Sequence, residues 1–160
     1  MHTEIARPSD AAAIAAVLRE AAQWLVDRQM PLWAVSDFSE ERVQQDVDTG
    51  HFLVARVGDD VAGVVRWQRE DPTFWPDAEP GTSAFLHKLA VRRAWAGQGV
   101  SAALLAFGRE HARSLGVRYL RLDCVADRQP LRALYEDFGF TLYDCVLKGR
   151  REFARYQIAL

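Results

Sequence analysis

The sequence predicts a mixed α/β or α+β sheet with about four helices. Three observations predict it. Short apolar runs alternate with stretches of helical period along the whole chain. Two adjacent apolar runs, Phe52–Val57 and residues 61–67, flank Gly58-Asp59-Asp60 and read as an antiparallel hairpin. Residues 85–91, a glycine turn, an apolar helix and residues 117–125 form a strand–helix–strand unit, whose crossover implies a parallel pair.

The elements follow in order. Residues 4–6 read as a short first strand. Pro8-Ser9-Asp10 is a helix entry, with Ser9 or Asp10 as N-cap. The alanine-rich helix behind it places Ile14, Val17, Leu18, Ala21 and Leu25 on one face. It breaks around Gln29-Met30-Pro31. Ser39 caps a second helix, whose first turn holds Glu40, Glu41 and Arg42. After the hairpin, Pro72, Pro76 and Pro80 make residues 71–81 a loop. The helix behind the glycine turn aligns Val100, Leu104, Phe107 and Leu115, and Gly116 ends it. Pro130 fits the first turn of a further helix, with Leu131, Leu134, Tyr135 and Phe138 at i, i+3, i+4 and i+7. Gly139 stops it, and residues 141–147 and 152–160 close the chain as a hairpin.

At 160 residues the expectation is a single domain, residues 1–160, with one core. The chain is 49% hydrophobic and 26% charged, ordinary for a globular protein. With 20 basic against 22 acidic residues, nothing drives binding to a nucleic acid backbone. Cys124 and Cys145 show neither metal spacing nor a disulfide framework, so no metal is expected and both read as buried, reduced thiols, consistent with a cytoplasmic protein. The first residues show no signal-peptide pattern, and no apolar run reaches membrane-spanning length.

The most informative segment runs from Leu89 to Leu105. A strand ends near Val91, glycines stand at 97 and 99, and a helix begins at once. The first N–H groups of that helix lack carbonyl partners, and its dipole adds partial positive charge. Phosphate is the natural guest of such a turn, and glycine keeps side chains out of its way. The pattern is not the Gly-x-Gly-x-x-Gly of a dinucleotide fold, and no Gly-Lys-Ser/Thr follows to make a Walker loop.

These residues resemble the GCN5-related N-acetyltransferase (GNAT) superfamily. Its cofactor signature, Arg/Gln-x-x-Gly-x-Gly/Ala after a Leu-x-Val strand, is matched by Leu89-Ala90-Val91 and Ala96-Gly97-Gln98-Gly99-Val100-Ser101. Its second signature, Leu-Tyr-x-x-x-Gly-Phe, is matched by residues 134–140. Three positions depart: Ala96 replaces Arg or Gln, Ser101 replaces Gly or Ala, and Arg128 stands where Asn is common. The cradle itself survives because its donors are main-chain N–H groups. Gln98 and Arg92 are the candidates to stand in for the long side chain that Ala96 does not supply.

The resemblance implies a largely antiparallel sheet of six to seven strands, with a V-shaped opening between two central parallel strands. It implies acetyl-CoA as donor and CoA as product. Leu89, Ala90 and Val91 would pair with the pantetheine arm as an added strand, with the N–H of Leu89 or Val91 as oxyanion donor. Residues 96–101 would hold the pyrophosphate, and Arg128 is a further cofactor-contact candidate. The acceptor would be a primary amine on a small molecule, attacking directly in a ternary complex. Tyr135 would return a proton to the departing thiolate; from helix period alone the same tyrosine is a packing residue. His87 has two readings, a general base or a structural histidine bonded to a neighbouring strand or loop. By strand parity it shares a face with Leu89 and Val91. Glu70, Asp71, Asp77 and Glu79 read mostly as a solvated acidic loop.

The resemblance also implies an acceptor pocket built from the first two helices and the loop before the cofactor strand. Trp33, two residues past Pro31, and Trp75, next to Pro76, are its candidates. The competing readings are a protein N-terminus or lysine as acceptor, a non-catalytic acyl-CoA sensor, and a structural domain that binds nothing. A homodimer is compatible with the resemblance and with an exposed sheet edge.

Overall fold

The computed structural model describes all 160 residues. Seven strands form a mostly antiparallel sheet in the order β1-β2-β3-β4-β5-β7-β6, and four helices accompany it. The strands are β1 (His2–Ile5), β2 (Phe52–Val57), β3 (Asp60–Gln68), β4 (Ser83–Val91), β5 (Tyr119–Val125), β6 (Thr141–Lys148) and β7 (Arg151–Ala159). The helices are α1 (Ala11–Asp27), α2 (Glu40–Asp48), α3 (Val100–Ser114) and α4 (Gln129–Phe138). The chain divides into two compact units, Met1–Trp67 with Lys88–Phe107, and Gln68–His87 with Gly108–Leu160.

In the first unit, α1 buries Ile14, Val17 and Leu18 as its periodicity predicts. Ala22 joins them, while Ala21 and Leu25 are only half-buried. The carboxylate of Asp10 does not cap α1. It accepts the backbone N–H of Arg7 at 2.7 Å and a guanidinium N–H of Arg56 at 2.6 Å. A bulge between Ala55 and Arg56 interrupts the β2–β3 register. Ser39 does cap α2, its hydroxyl accepting the N–H of Arg42 at 3.3 Å. Gly63 is required by packing: a Cβ there would stand 2.6 Å from Val100 Cγ1 and 3.0 Å from the Ala90 carbonyl oxygen.

In the second unit, β5 pairs antiparallel with β7, and β7 with the edge strand β6. The parallel ladder of β4 and β5 matches Ser83–Leu86 with Tyr119–Leu122 and ends there, although both strands continue. Strand β5 starts at Tyr119 rather than at Val117, which is buried but outside the ladder. Two expectations are corrected. Leu115 lies past the end of α3 and is 46% exposed, so it leaves the buried stripe, which Leu105 and Ala112 complete instead. Cys145 is exposed on β6, whereas Cys124 is buried as expected. The edge strand has a solvent face, and Cys145 is on it.

Candidate functional site

In the first unit, the chain leaves β4 through a short 3-10 turn, Arg93–Trp95, and enters α3 over two glycines. Gly97 and Gly99 have φ of +75° and +80°, the left-handed region that costs glycine nothing. A Cβ on either would meet nothing within 4 Å, so the turn opens onto free space. The Gly99 carbonyl accepts the Ala103 N–H and so starts the helix, which leaves the N–H groups of its first turn available. This is the geometry that an anionic ligand needs.

The side chains around that turn are already engaged. Arg92 donates to the Val61 carbonyl at 3.0 Å and pairs with Glu20 at 3.3 Å. The other oxygen of Glu20 accepts the Arg93 N–H at 2.8 Å, which anchors the turn to α1. Gln98 donates to the Ala94 carbonyl at 3.0 Å. Arg92 and Gln98 therefore brace the turn, and neither replaces the side chain missing at Ala96. Glu20 was invisible to sequence reasoning, because 72 residues separate it from Arg92.

Upstream, Lys88 has φ of +52°, an uncommon conformation for a non-glycine residue inside a strand. The irregularity lies inside β4, between His87 and Leu89. The Lys88 ammonium lies 5.6 Å from the Trp33 ring centroid and 5.4 Å from that of Phe38. Those rings meet edge-on at 5.8 Å. Phe38 and Lys88 also line a small recess with Leu18 of α1, Arg42 and Asp46 of α2, and Phe52.

In the second unit, Tyr135 is 6% exposed on α4. Gly139, with φ of +112°, ends the helix so that the Phe140 N–H returns to the Tyr135 carbonyl at 3.0 Å. The Phe140 ring then packs edge-on to Tyr135 at 5.9 Å, and Tyr156 packs at 6.2 Å. The Tyr-x-x-x-Gly-Phe spacing is thus a device for fixing one phenol. Burial, with Cys124 and Asp123 nearby, pushes that phenol above its ordinary range. It holds its proton at neutral pH. Burial likewise pushes the Cys124 thiol up to about 12, so it is no thiolate nucleophile.

His87 stands between two carboxylates. Its Nε2 is 3.2 Å from Asp71 Oδ2, and its Nδ1 is 3.9 Å from Asp123 Oδ1. Asp71 is 6% exposed rather than solvated, which corrects the reading of that loop. Burial pushes its carboxyl up, but the nearby His87 imidazole and the hydrogen bond from the Phe74 N–H outweigh this and leave it below its ordinary value.

Trp75 is 3% exposed, with the Arg121 and Arg155 guanidinium carbons 4.7 and 4.5 Å from its ring centroid. Phe85 and Tyr143 pack on it too. It is a packing residue, covered by partners far away in sequence, and so no longer an acceptor-pocket candidate. Asp77 is also committed: it holds Arg155, and that contact lowers its carboxyl. Arg128 lies beside Asp127 at 3.7 Å, and its carbonyl accepts the Arg132 N–H at the start of α4.

The sequence model of the acetyltransferase (GNAT) family matches residues 18–140. The chain belongs to that family. It is therefore an acyltransferase that uses acetyl-CoA, and the open glycine turn at α3 fits that cofactor's pyrophosphate. The chain is 30% identical over 155 residues to YesJ, an uncharacterized N-acetyltransferase of Bacillus subtilis (strain 168), which covers 91% of this chain and 84% of the relative. Among solved structures, a GNAT-family acetyltransferase from Listeria monocytogenes 4b F2365 superposes with a TM-score of 0.79 at 23% identity. That match covers 99% of this chain and 94% of the other. The fold also matches yncA from Salmonella typhimurium, a putative acetyltransferase solved with acetyl-CoA, with a TM-score of 0.77 at 17% identity and coverage of 99% and 93%. No helix of this acetyltransferase is long and apolar enough to cross a membrane.

Proposed function

We propose that this acetyltransferase moves the acetyl group of acetyl-CoA to a primary amine of a small-molecule acceptor, by direct attack in a ternary complex, with residues 1–160 acting as one catalytic domain. The observation that carries the reading is the glycine turn, with its two left-handed residues and open front. The bound cofactor supplies an activated thioester and a thiolate leaving group. The N–H groups of Val100 and Ser101, behind Gly97 and Gly99, hold the pyrophosphate. The main chain of Leu89, Ala90 and Val91 offers strand-like hydrogen bonds, and the N–H of Leu89 or Val91 stabilises charge developing on the acetyl oxygen. Tyr135, kept protonated by burial, gives its proton to the leaving sulfur and recovers one from the new amide nitrogen, which sheds its second proton as the product forms. His87 takes the proton of the acceptor's ammonium. The high thiol of Cys124 supports direct attack over an acyl-cysteine intermediate.

For the acceptor, the recess lined by Leu18, Phe38 and Asp46, with Trp33 stacked edge-on to Phe38, supports a small amine over a protein segment. The reduced cysteines support a cytoplasmic location. Leu142 and Leu147, 47% and 70% exposed on β6, support a homodimer through that edge.

The test is calorimetric titration with acetyl-CoA, CoA and NADH. It is followed by thiol release from acetyl-CoA with spermidine, 2-phenylethylamine and L-lysine. Binding of both CoA forms with NADH silent, and thiol release with at least one amine, is the expected result. Binding without turnover would favour an acyl-CoA sensor, the reading that Ala96 and the engaged Gln98 and Arg92 would then explain. No binding of either form would remove the cradle.

A further inference from the structure

The group formed by Asp71, His87 and Asp123 lies wholly within the second unit. His87 follows Leu86, which forms the last rung of the β4–β5 ladder with Leu122, and Asp123 follows Leu122. The imidazole and the Asp123 carboxylate therefore face each other where the pairing stops. The side chains of Asp71, His87 and Asp123 are 4%, 16% and 7% exposed. Three titratable groups buried this far are costly unless each compensates another.

Asp71 is held from its other side. Its Oδ1 accepts the Phe74 N–H at 3.0 Å, and its carbonyl accepts the Trp75 N–H at 2.9 Å. The carboxylate is thus tethered to the turn that begins the proline loop, and only Oδ2 is left to face the ring. The two ring nitrogens face different carboxylates, at 3.2 and 3.9 Å, and neither approach is closed as a hydrogen bond in this structure. A single metal ion can reach only one ring nitrogen. A carboxylate at each nitrogen is instead the setting that an imidazolium requires.

We propose that Asp71 is a positioning residue for His87: its Oδ2 accepts the Nε2–H, so that Nδ1 carries the lone pair and is the atom that takes the acceptor's proton. This rests on the acetyltransferase reading given above. An N–H bond of the acceptor's ammonium breaks, the proton passes to Nδ1, and the electron pair stays on the amine. The resulting imidazolium has Asp71 beside Nε2 and Asp123 beside Nδ1, and it releases its proton to solvent before the next turnover. The role parallels that of a buried carboxylate that fixes the tautomer of a catalytic histidine.

The decisive variant is Asp71→Asn. Its amide oxygen keeps the Phe74 N–H, and its NH2 turns toward Nε2, so the ring must carry its proton on Nδ1. Nitrogen NMR of histidine-labelled protein, at a pH where the imidazole is neutral, reads the tautomer of His87 directly. The expected result is a protonated Nε2 in the wild type and a protonated Nδ1 in Asp71→Asn. With the most active amine of the panel, kcat of Asp71→Asn falls roughly ten- to a hundredfold, part of the ~10²–10⁴ that a positioned base supplies. The KM for acetyl-CoA stays unchanged. A wild-type ring protonated on Nδ1 would overturn the proposal. So would an unchanged kcat in Asp71→Asn, or full turnover in His87→Gln. The tautomer is read on resting protein, so that result stands apart from whether amines are acetylated.

Discussion

The glycine turn of the first unit offers a ligand only peptide groups, whereas the second unit offers a phenol, an imidazole and two carboxylates. The difference shows in how each is stabilised. The turn is fixed by backbone conformation at Gly97 and Gly99 and by a brace from Glu20 to Arg92 and Arg93. Its open face needs no side chain at all. In the second unit each reactive group depends on partners brought from elsewhere. Phe140 and Tyr156 fix Tyr135, and Asp71 and Asp123 flank His87. If the turn binds and the second unit's groups react as proposed, binding should tolerate side-chain change better than catalysis does.

The largest expected effect tests that contrast from the catalytic side. Tyr135→Phe keeps the ring against Phe140 and Tyr156 and removes only the hydroxyl. Thiol release should fall by roughly 10²–10³-fold, within the range of a positioned acid, while the acetyl-CoA affinity measured by calorimetry stays the same. Unchanged turnover would leave Tyr135 as a packing residue, which is what its helix period alone suggests.

Next comes a change that breaks the first unit through packing. Gly63→Ala places a methyl 2.6 Å from Val100 Cγ1 and 3.0 Å from the Ala90 carbonyl oxygen, and the carbonyl belongs to a strand that cannot swing aside. The expected cost is about 1–3 kcal/mol, typical of overpacking, seen as a lower midpoint in urea. Acetyl-CoA affinity should fall too, because Val100 is the first residue of the helix that presents the cradle. A variant as stable as the wild type would show that β3 and α3 can separate freely.

Arg155→Met tests the polar network of the second unit. Arg155 is 4% exposed and donates to both oxygens of Asp144 at 2.6 Å and to Asp77 at 2.7 Å. Those aspartates are half-exposed and can hydrate once the guanidinium is gone. The loss should therefore stay below the 3–5 kcal/mol of a fully buried broken pair, at about 1–3 kcal/mol. The pH dependence has a definite sign. Arg155 holds the Asp77 carboxyl below its ordinary value. That stabilisation is present above the unfolded value, near ~3.9, and is lost as pH falls through the lower folded value. The stability gap between wild type and variant should be full at neutral pH and shrink in acid. A gap that stayed constant into acid would mean that packing on Trp75, not charge, is what Arg155 contributes.

The same contrast explains what was legible in the sequence. Glycine turns, helix caps and hairpins are local, so the elements from Ala11 to Ala159 could be placed within a few residues, and Gly97 and Gly99 pointed to a phosphate cradle. Tyr135 carried a signal through the spacing of Gly139 and Phe140. Asp71 carried none: its neighbours Pro72 and Glu70 describe a loop, and only the approach of His87 makes it a buried partner. Trp75 failed for the same reason, since Arg121 and Arg155 reach it from distant strands. Lys88 hid the irregularity in β4, because nothing in its side chain requires a positive φ.

The smallest expected effect is a gain. Ala96 stands where the family carries Arg or Gln, and neither Arg92 nor Gln98 is free to replace that side chain. Ala96 is half-buried beside the exposed Gly97, and it has extended backbone, with φ of −62° and ψ of 139°, which arginine adopts without strain. Ala96→Arg should add one charge-assisted hydrogen bond to the pyrophosphate. Long side chains lose rotamer freedom when they bind, and water screens an exposed charge. The net gain should therefore be about 0.5–1 kcal/mol, a roughly two- to fivefold tighter acetyl-CoA Kd, with kcat unmoved. A larger gain would mean that side chains, not peptide groups, govern affinity at the turn. No gain would mean that the peptide groups of the turn already hold the anion without that side chain.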